Sequence, residues 1–356
     1  MKALFPFHRF GQNRFSALRP SSKAWLLLLP LLLLVPVSCI DEEEFDNNPQ
    51  GNFLALWKIM DEHYCFFAEK QQQLGIDWQE VKARYAPQID PDMNDDMLFE
   101  VLGNMLGELR DGHVNLYSSF DLARNWSWHE NHPSNFSDSL FRKYMGTDYL
   151  ISSGLRYRIL DDHVGYIYCG TFAKGFGEGN LDHVLRHFLT CNALIIDVRN
   201  NSGGMITEAE RLASRFTDEA VTAGYFRHKS GRGHDDFSSM SPQVIKPSAG
   251  LRWHKRVAVL TNRHVYSAAN EFVKYMKCFP RTIVVGDSTG GGAGMPFTSE
   301  LPNGWGVRFS ACPMYDRDKQ PTERGIAPDC RVGLRDEDEA RGIDTIIETA
   351  RRLLTK

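Results

Sequence analysis

The 356-residue chain reads as an α/β protein in which a core of strands and helices is preceded by a small N-terminal helical domain. Two observations lead to this. Between Phe53 and His113 the apolar residues recur three and four apart, the spacing of helices with one buried face. From Val164 onward short β-branched runs alternate with helical ones, the texture of a layered structure with largely parallel strands.

Taken in order, Met1 to Ser38 contains no Asp or Glu, carries Lys2, Arg9, Arg14, Arg19 and Lys23, and runs into WLLLLPLLLLVPV. That is the pattern of an export signal. The apolar run is shorter than the ~20 residues a membrane span needs, and Pro30 and Pro36 break it. Val37-Ser38-Cys39 then resembles a lipobox, with Pro36 where leucine is usual, which implies cleavage before Cys39 and a lipid on its sulfur. Asp41 to Glu44 resemble the surface-export signal of Bacteroides-type lipoproteins, although such a run also serves as a solvated tether. The expected organisation is a lipoprotein signal peptide over 1–38, an acidic and polar tether over 39–51, a helical domain over 52–116, a linker over 117–156 and a core domain over 157–356. The expected location is the cell envelope, on the periplasmic or the outer face.

Losing the five basic residues of the signal takes the formal net charge from −4 to −9, and no basic tail remains, so nucleic acid is not an expected partner. The six cysteines beyond Cys39 form no CxxC pair and have no histidine at ligand spacing, so no metal or other cofactor is expected. The oligomeric state is left open.

In the helical domain FLALWKIMDEHYCFF, DWQEVKARYAPQI and DDMLFEVLGNMLGELRDGH are the helices, the last with Asp95-Asp96 as its cap region. Tyr117 to Arg156, rich in Trp, Ser, Asn and His, reads as loop. In the core VGYIYC, ALIIDV, AGYFRH, RVAVLT and TIVVGD are strands, MITEAERLASRF and SAANEFVKYMK are helices between them, Lys229 to Ala249 is a polar insertion, and a charged helix from Asp336 to Lys356 closes the chain.

Four places could carry chemistry. In LTNRHVYSAANEF, Ser267 stands where a strand and polar turn give way to a helix, so its hydroxyl and the free N–H of Ala268 suit nucleophilic attack and oxyanion binding. The plainer reading is a helix cap. In DVRNNSGG, Gly203 and Gly204 open a turn whose N–H groups could face an anion, or simply join strand to helix. Glu323, in PTERGIAPD, is otherwise a surface partner for Arg324. His113, at the end of its helix, is otherwise a compensating charge for the helix dipole.

The order DGH, DVRNNSGG, YSAANEF, GDSTGGG, LPNGW and ERGIAPD resembles the tail-specific, or C-terminal processing, serine peptidases, from about Tyr157 to the end and over the helical region before it. The resemblance implies a ClpP/crotonase-like core, Ser267 as nucleophile, and an oxyanion hole from the N–H of Ala268 and of Gly203 or Gly204, acting on a peptide or protein substrate. Two departures matter. Gly291 occupies the place of the lysine in the bacterial Ser/Lys dyad, so the chain is closer to the tricorn-core branch, whose histidine and glutamate map onto His113 and Glu323. Gly112 stands where that branch has a serine, which puts a relay from Glu323 to His113 in question. The 117–156 stretch also leaves no room for the PDZ domain of many relatives.

Within the core, His264 and Lys274 are the other bases near Ser267 in sequence, neither well placed. Gly286 to Gly290 matches the G-x-S-x-G elbow of esterases, but glycines rather than a helix follow Ser288. A competing function is a surface lipoprotein that binds peptide or glycan on this fold without cleaving it.

Overall fold

The structure, a computed structural model, describes residues 44–355. The predicted signal and the lipid acceptor Cys39 lie outside the described residues. Four helices come first: α1 (Pro49–His63), α2 (Phe67–Leu74), α3 (Trp78–Tyr85) and α4 (Asp95–Gly107). The starts of α1, α3 and α4 are set by side-chain caps, because Asn48, Asp77 and Asn94 accept hydrogen bonds from first-turn N–H groups. Asn94 therefore caps α4, and Asp95 and Asp96 fall in its first turn, where their charges suit the helix dipole.

The strands are, in chain order, β1 (Asn115–Tyr117), β2 (Leu122–Arg124), β3 (Leu150–Ser152), β4 (Leu155–Ile159), β5 (Val164–Cys169), β6 (Ala193–Asp197), β7 (Val221–Phe226), β8 (Ser241–Ile245), β9 (Arg256–Thr261), β10 (Thr282–Gly286), β11 (Gly294–Glu300), β12 (Gly306–Tyr315) and β13 (Cys330–Arg331). Among the described residues they make two sheets. One runs β13-β10-β9-β6-β5-β4-β3, parallel from β13 to β5 and antiparallel at the β4 and β3 edge. The other, antiparallel, runs β2-β1-β12-β7-β8, with β11 also on β12.

The parallel strands read as unbroken apolar runs because both of their faces are covered. Leu194, Ile196, Val257, Val259 and Val284 face one core, shared with the helices at Glu178–His187, Ile206–Ala213 and Ala268–Lys277. Their neighbours Ala193, Ile195, Ala258, Leu260 and Val285 face a second core, with the helices at Asp138–Met145 and Thr345–Leu354. Each one-residue step thus changes face, as the strand period requires.

Four expectations change. The stretch 117–156, read as linker, carries β2, β3, part of β4 and the helix Asp138–Met145, and β3 and β4 extend the parallel sheet. Its polar composition hid strands of three residues at a sheet edge. The run AGYFRH does not join the parallel strands; as β7 it pairs with β12 and with β8, which lies inside the supposed insertion. The closing helix is two, Asp336–Ala340 and Thr345–Leu354, parted by Gly342 at φ 71°. The helical segment, moreover, does not close a core of its own. Phe53, Leu56, Leu102 and Leu106 pack with Leu116, Val307 and Phe309 of the antiparallel sheet.

A buried charge cluster ties the chain's end to the turn after β6. Arg199, fully buried, donates to both oxygens of Asp197 and, at 2.9 Å, to Asp344, which itself caps the last helix. Tyr166 adds a 2.8 Å bond to Asp197. Removing one member of such a cluster strands a charge in the interior, at a cost of ~3–5 kcal/mol.

Candidate active site

The β9 strand ends at Thr261, a polar turn follows, and helix Ala268–Lys277 begins immediately after Ser267. Ser267 has φ 56° and ψ −124°, a left-handed conformation that costs a non-glycine residue of order 1–3 kcal/mol. Its surroundings hold it there: its N–H donates to the Gly291 carbonyl at 2.8 Å, and its own carbonyl accepts from Glu271 at 3.0 Å. The side chain makes no capping bond. Instead its Oγ lies 3.1 Å from Nε2 of His113, across 154 residues of sequence. A serine at a helix start that spends backbone strain without capping is placed for something other than the helix.

His113 sits on the turn that joins α4 to β1, almost wholly buried, its ring 5.0 Å from that of Tyr266. Burial lowers its pKa to about 4, with Asp111 opposing the shift and Arg308 adding to it. The imidazole is therefore neutral near pH 7 and able to accept a proton at Nε2. Its Nδ1 is buried with no hydrogen-bond partner.

Gly203 and Gly204 follow the β6 strand end and have φ 103° and 139°. A Cβ on Gly203 would lie 2.8 Å from the Ser267 Cβ, and one on Gly204 2.2 Å from the Ala173 nitrogen, so both positions exclude a side chain. Their amides differ in use. Gly203 donates to Asn201 Oδ1 at 2.9 Å. Among the described residues, the N–H groups of Gly204 and of Ala268 donate to no other group of the chain. Those two, rather than Gly203, are free to bind a developing oxyanion.

Asparagines inside the quoted motifs, to which the sequence assigned no role, fix the two loops to each other. Asn200 and Asn262 exchange bonds, backbone N–H to Oδ1 at 3.0 Å and Nδ2 to Oδ1 at 2.7 Å, and the Tyr266 N–H donates to the Asn201 carbonyl at 3.0 Å. A second clasp joins Thr289 to Asn270 at 2.6 Å and to the N–H of Ile326 at 2.6 Å, holding the 286–293 loop against the helix. The adjacent pair Asn200-Asn201 was the available signal, because side-chain amides can mimic backbone in turns.

Both departures from the family pattern have steric reasons. Gly291 has φ 87°, and a Cβ there would come within 1.7 Å of the Glu323 carbonyl oxygen, so no lysine fits this backbone. A Cβ on Gly112 would lie 2.7 Å from the indole of Trp128 and 2.8 Å from the Tyr266 hydroxyl. Trp128, from the stretch read as linker, stacks on Tyr266 at 4.1 Å and fills the space of the absent serine.

None of the remaining candidates is hydrogen-bonded to the pair. The Glu323 carboxylate accepts from the Ala293 N–H at 2.6 Å and makes no hydrogen bond with His113. Burial, and Asp111 nearby, push its carboxyl well above the usual range. Lys274 is buried against Glu271 at 2.5 Å and Gln243 at 3.0 Å. His264 packs on His129 and Trp128. Ser288 accepts from Arg331 at 2.6 Å, in a loop that leads into β11.

This constellation agrees with what the chain resembles. Residues 163–332 match the model of peptidase family S41, and 45–107 match that of the tricorn protease C1 domain. A CtpA-like serine protease of Staphylococcus epidermidis is 26% identical over 140 residues, which are 39% of this chain and 27% of that protein. The match thus spans about a quarter of the length of the curated relatives. A photosystem II D1 C-terminal processing protease, 13% identical, covers 87% of this chain and 98% of its own with a TM-score of 0.52, and shares the fold. A crystal structure of a candidate peptidase from Parabacteroides merdae is 51% identical, covers 87% of this chain and 98% of its own, and superposes with a TM-score of 0.82. The chain belongs to peptidase family S41.

Proposed function

We propose that this protein is a serine peptidase that hydrolyses peptide bonds in peptide or protein substrates, and that it works from the cell envelope. The observation that carries the reading is the 3.1 Å contact between Ser267 Oγ and His113 Nε2, made by a serine in a strained conformation. As Oγ attacks a substrate carbonyl, its proton passes to Nε2 and the carbonyl oxygen becomes an oxyanion between the Gly204 and Ala268 amides. His113 then returns the proton to the leaving amine as the C–N bond breaks. Water attacks the acyl-enzyme by the same route and frees the serine. The name of the D1 C-terminal processing protease supports cleavage near a substrate's end as the finer reading. A fluorophosphonate probe should label Ser267, seen as one modified peptide by mass spectrometry; an unlabelled protein would instead be a binding module on this fold.

The envelope location rests on Val37-Ser38-Cys39 and the acids behind it. Cys39→Ala is expected to move the protein out of the membrane fraction and remove the acyl mass from its mature N-terminus. A cleaved, unmodified N-terminus at Cys39 in the wild type would overturn the lipid anchor.

A further inference from the structure

His113 is a base whose second nitrogen touches nothing, yet a carboxylate is packed two residues before it. Asp111 is 2% exposed. Its Oδ1 accepts from the backbone N–H of His113 at 2.7 Å. Its Oδ2 accepts two hydroxyls, Tyr64 from the end of α1 and Ser310 from β12, each at 3.0 Å. The first bond is what an Asx turn provides, and a turn alone would explain it. The other two are not part of any turn: they anchor the carboxylate from two separate elements, 47 and 199 residues away in sequence.

We propose that Asp111 is the positioning residue of this site, holding the His113 turn in place and supplying the negative charge that balances the imidazolium formed there in the transition state. The proposal deepens the peptidase reading and rests on it. Glu323, which family resemblance puts in that role, is committed to the Ala293 amide. It is also pushed toward its neutral form by burial and by Asp111 itself, so it is poorly suited to carry the balancing charge. Around the Asp111–His113 pair the other charged and titratable groups are Arg308 of β12, Tyr64, Cys65, Tyr266, Glu323, and Glu69 and Lys70 of α2. Arg308 opposes a charge on His113. A buried imidazolium next to an arginine needs an anion close by, and in a poorly solvated site such an anion is worth more than in water.

The test is the rate of Ser267 labelling by a fluorophosphonate as a function of pH, in the full chain. Asp111→Asn keeps an oxygen for the His113 N–H and so keeps the turn, while the hydroxyls of Tyr64 and Ser310 can accept from its amide group. Only the charge is lost. The plateau rate should fall about ten- to a hundredfold, part of the ~10²–10⁴ that a general base provides. The acid limb should move to lower pH, because an imidazole without its anion binds a proton less readily. Ser310→Ala and Tyr64→Phe each remove a donor from Oδ2 and concentrate its charge, so their limbs should move the other way. A purely structural role would lower the melting temperature and leave the limbs where they are. A plateau within about threefold of wild type with an unmoved limb in Asp111→Asn overturns the proposal. If that variant does not fold, unmoved limbs in both hydroxyl variants overturn it. Absence of labelling in the wild type would instead sink the peptidase reading, and this proposal with it.

Discussion

Ser267→Ala is expected to abolish peptide hydrolysis while the circular dichroism spectrum stays that of the wild type. Alanine also carries a Cβ, so the φ of 56° is no more strained than before, and the backbone bonds to Gly291 and Glu271 do not involve the side chain. What is lost is the bond to His113 Nε2, and leaving a buried group unpaired costs about 1–3 kcal/mol. A fall of a few degrees in Tm therefore fits; loss of the folded state does not. Turnover of a quenched-fluorescence peptide at more than a trace of the wild-type rate would show that Ser267 is not the nucleophile. Ser288, the other serine with a matching motif, is no substitute, since its Oγ is held by Arg331.

His113→Ala should lower kcat by at least ~10²-fold with KM little changed, because proton transfer in the transition state is what the side chain provides. The pH profile is the sharper measurement. An ordinary histidine would place the acid limb of kcat/KM near ~6.5. Burial moves His113 to about 4, so the wild-type enzyme should hold its activity down to pH ~5. The sign for stability follows from the same shift. A folded-state pKa below the unfolded one means that the unfolded chain binds the extra proton, so this residue's contribution is fully present above ~6.5 and is lost as pH falls toward about 4. His113→Ala should flatten that part of the stability curve. A limb near 6.5 that survives in His113→Ala would move attention to His264.

Much of this site was legible because its parts lie at strand ends, where period and turn chemistry are strong. The runs at 193–197, 256–261 and 282–286 are apolar without interruption, and Ser267, Gly204 and His113 stand at the ends of periodic segments. The antiparallel sheet was not legible, since β1 and β2 are three residues each and the long β12 pairs, besides its neighbour β11, with β1 and β7 far away in sequence. Trp128 was hidden for a related reason. In a stretch of Trp, Ser, Asn and His nothing local distinguishes a residue stacked on Tyr266 from one in solvent. The free amides of Gly204 and Ala268 were narrowed from three to two only by where Asn201 points, a detail of conformation that no spacing encodes.

The 154 residues between His113 and Ser267 have a bearing on the chain's own safety. The base rides on a turn whose helix packs in one core, and the nucleophile on a turn whose helix packs in another. Contacts so far apart in sequence form late, after the loop-closure entropy between them has been met. Until then the serine has no base, so on the proposed mechanism a half-made molecule has no activated nucleophile. A hydrolase assembled in this way need not be kept from its unfolded siblings by a removable inhibitor: completion of folding is itself the act that switches it on.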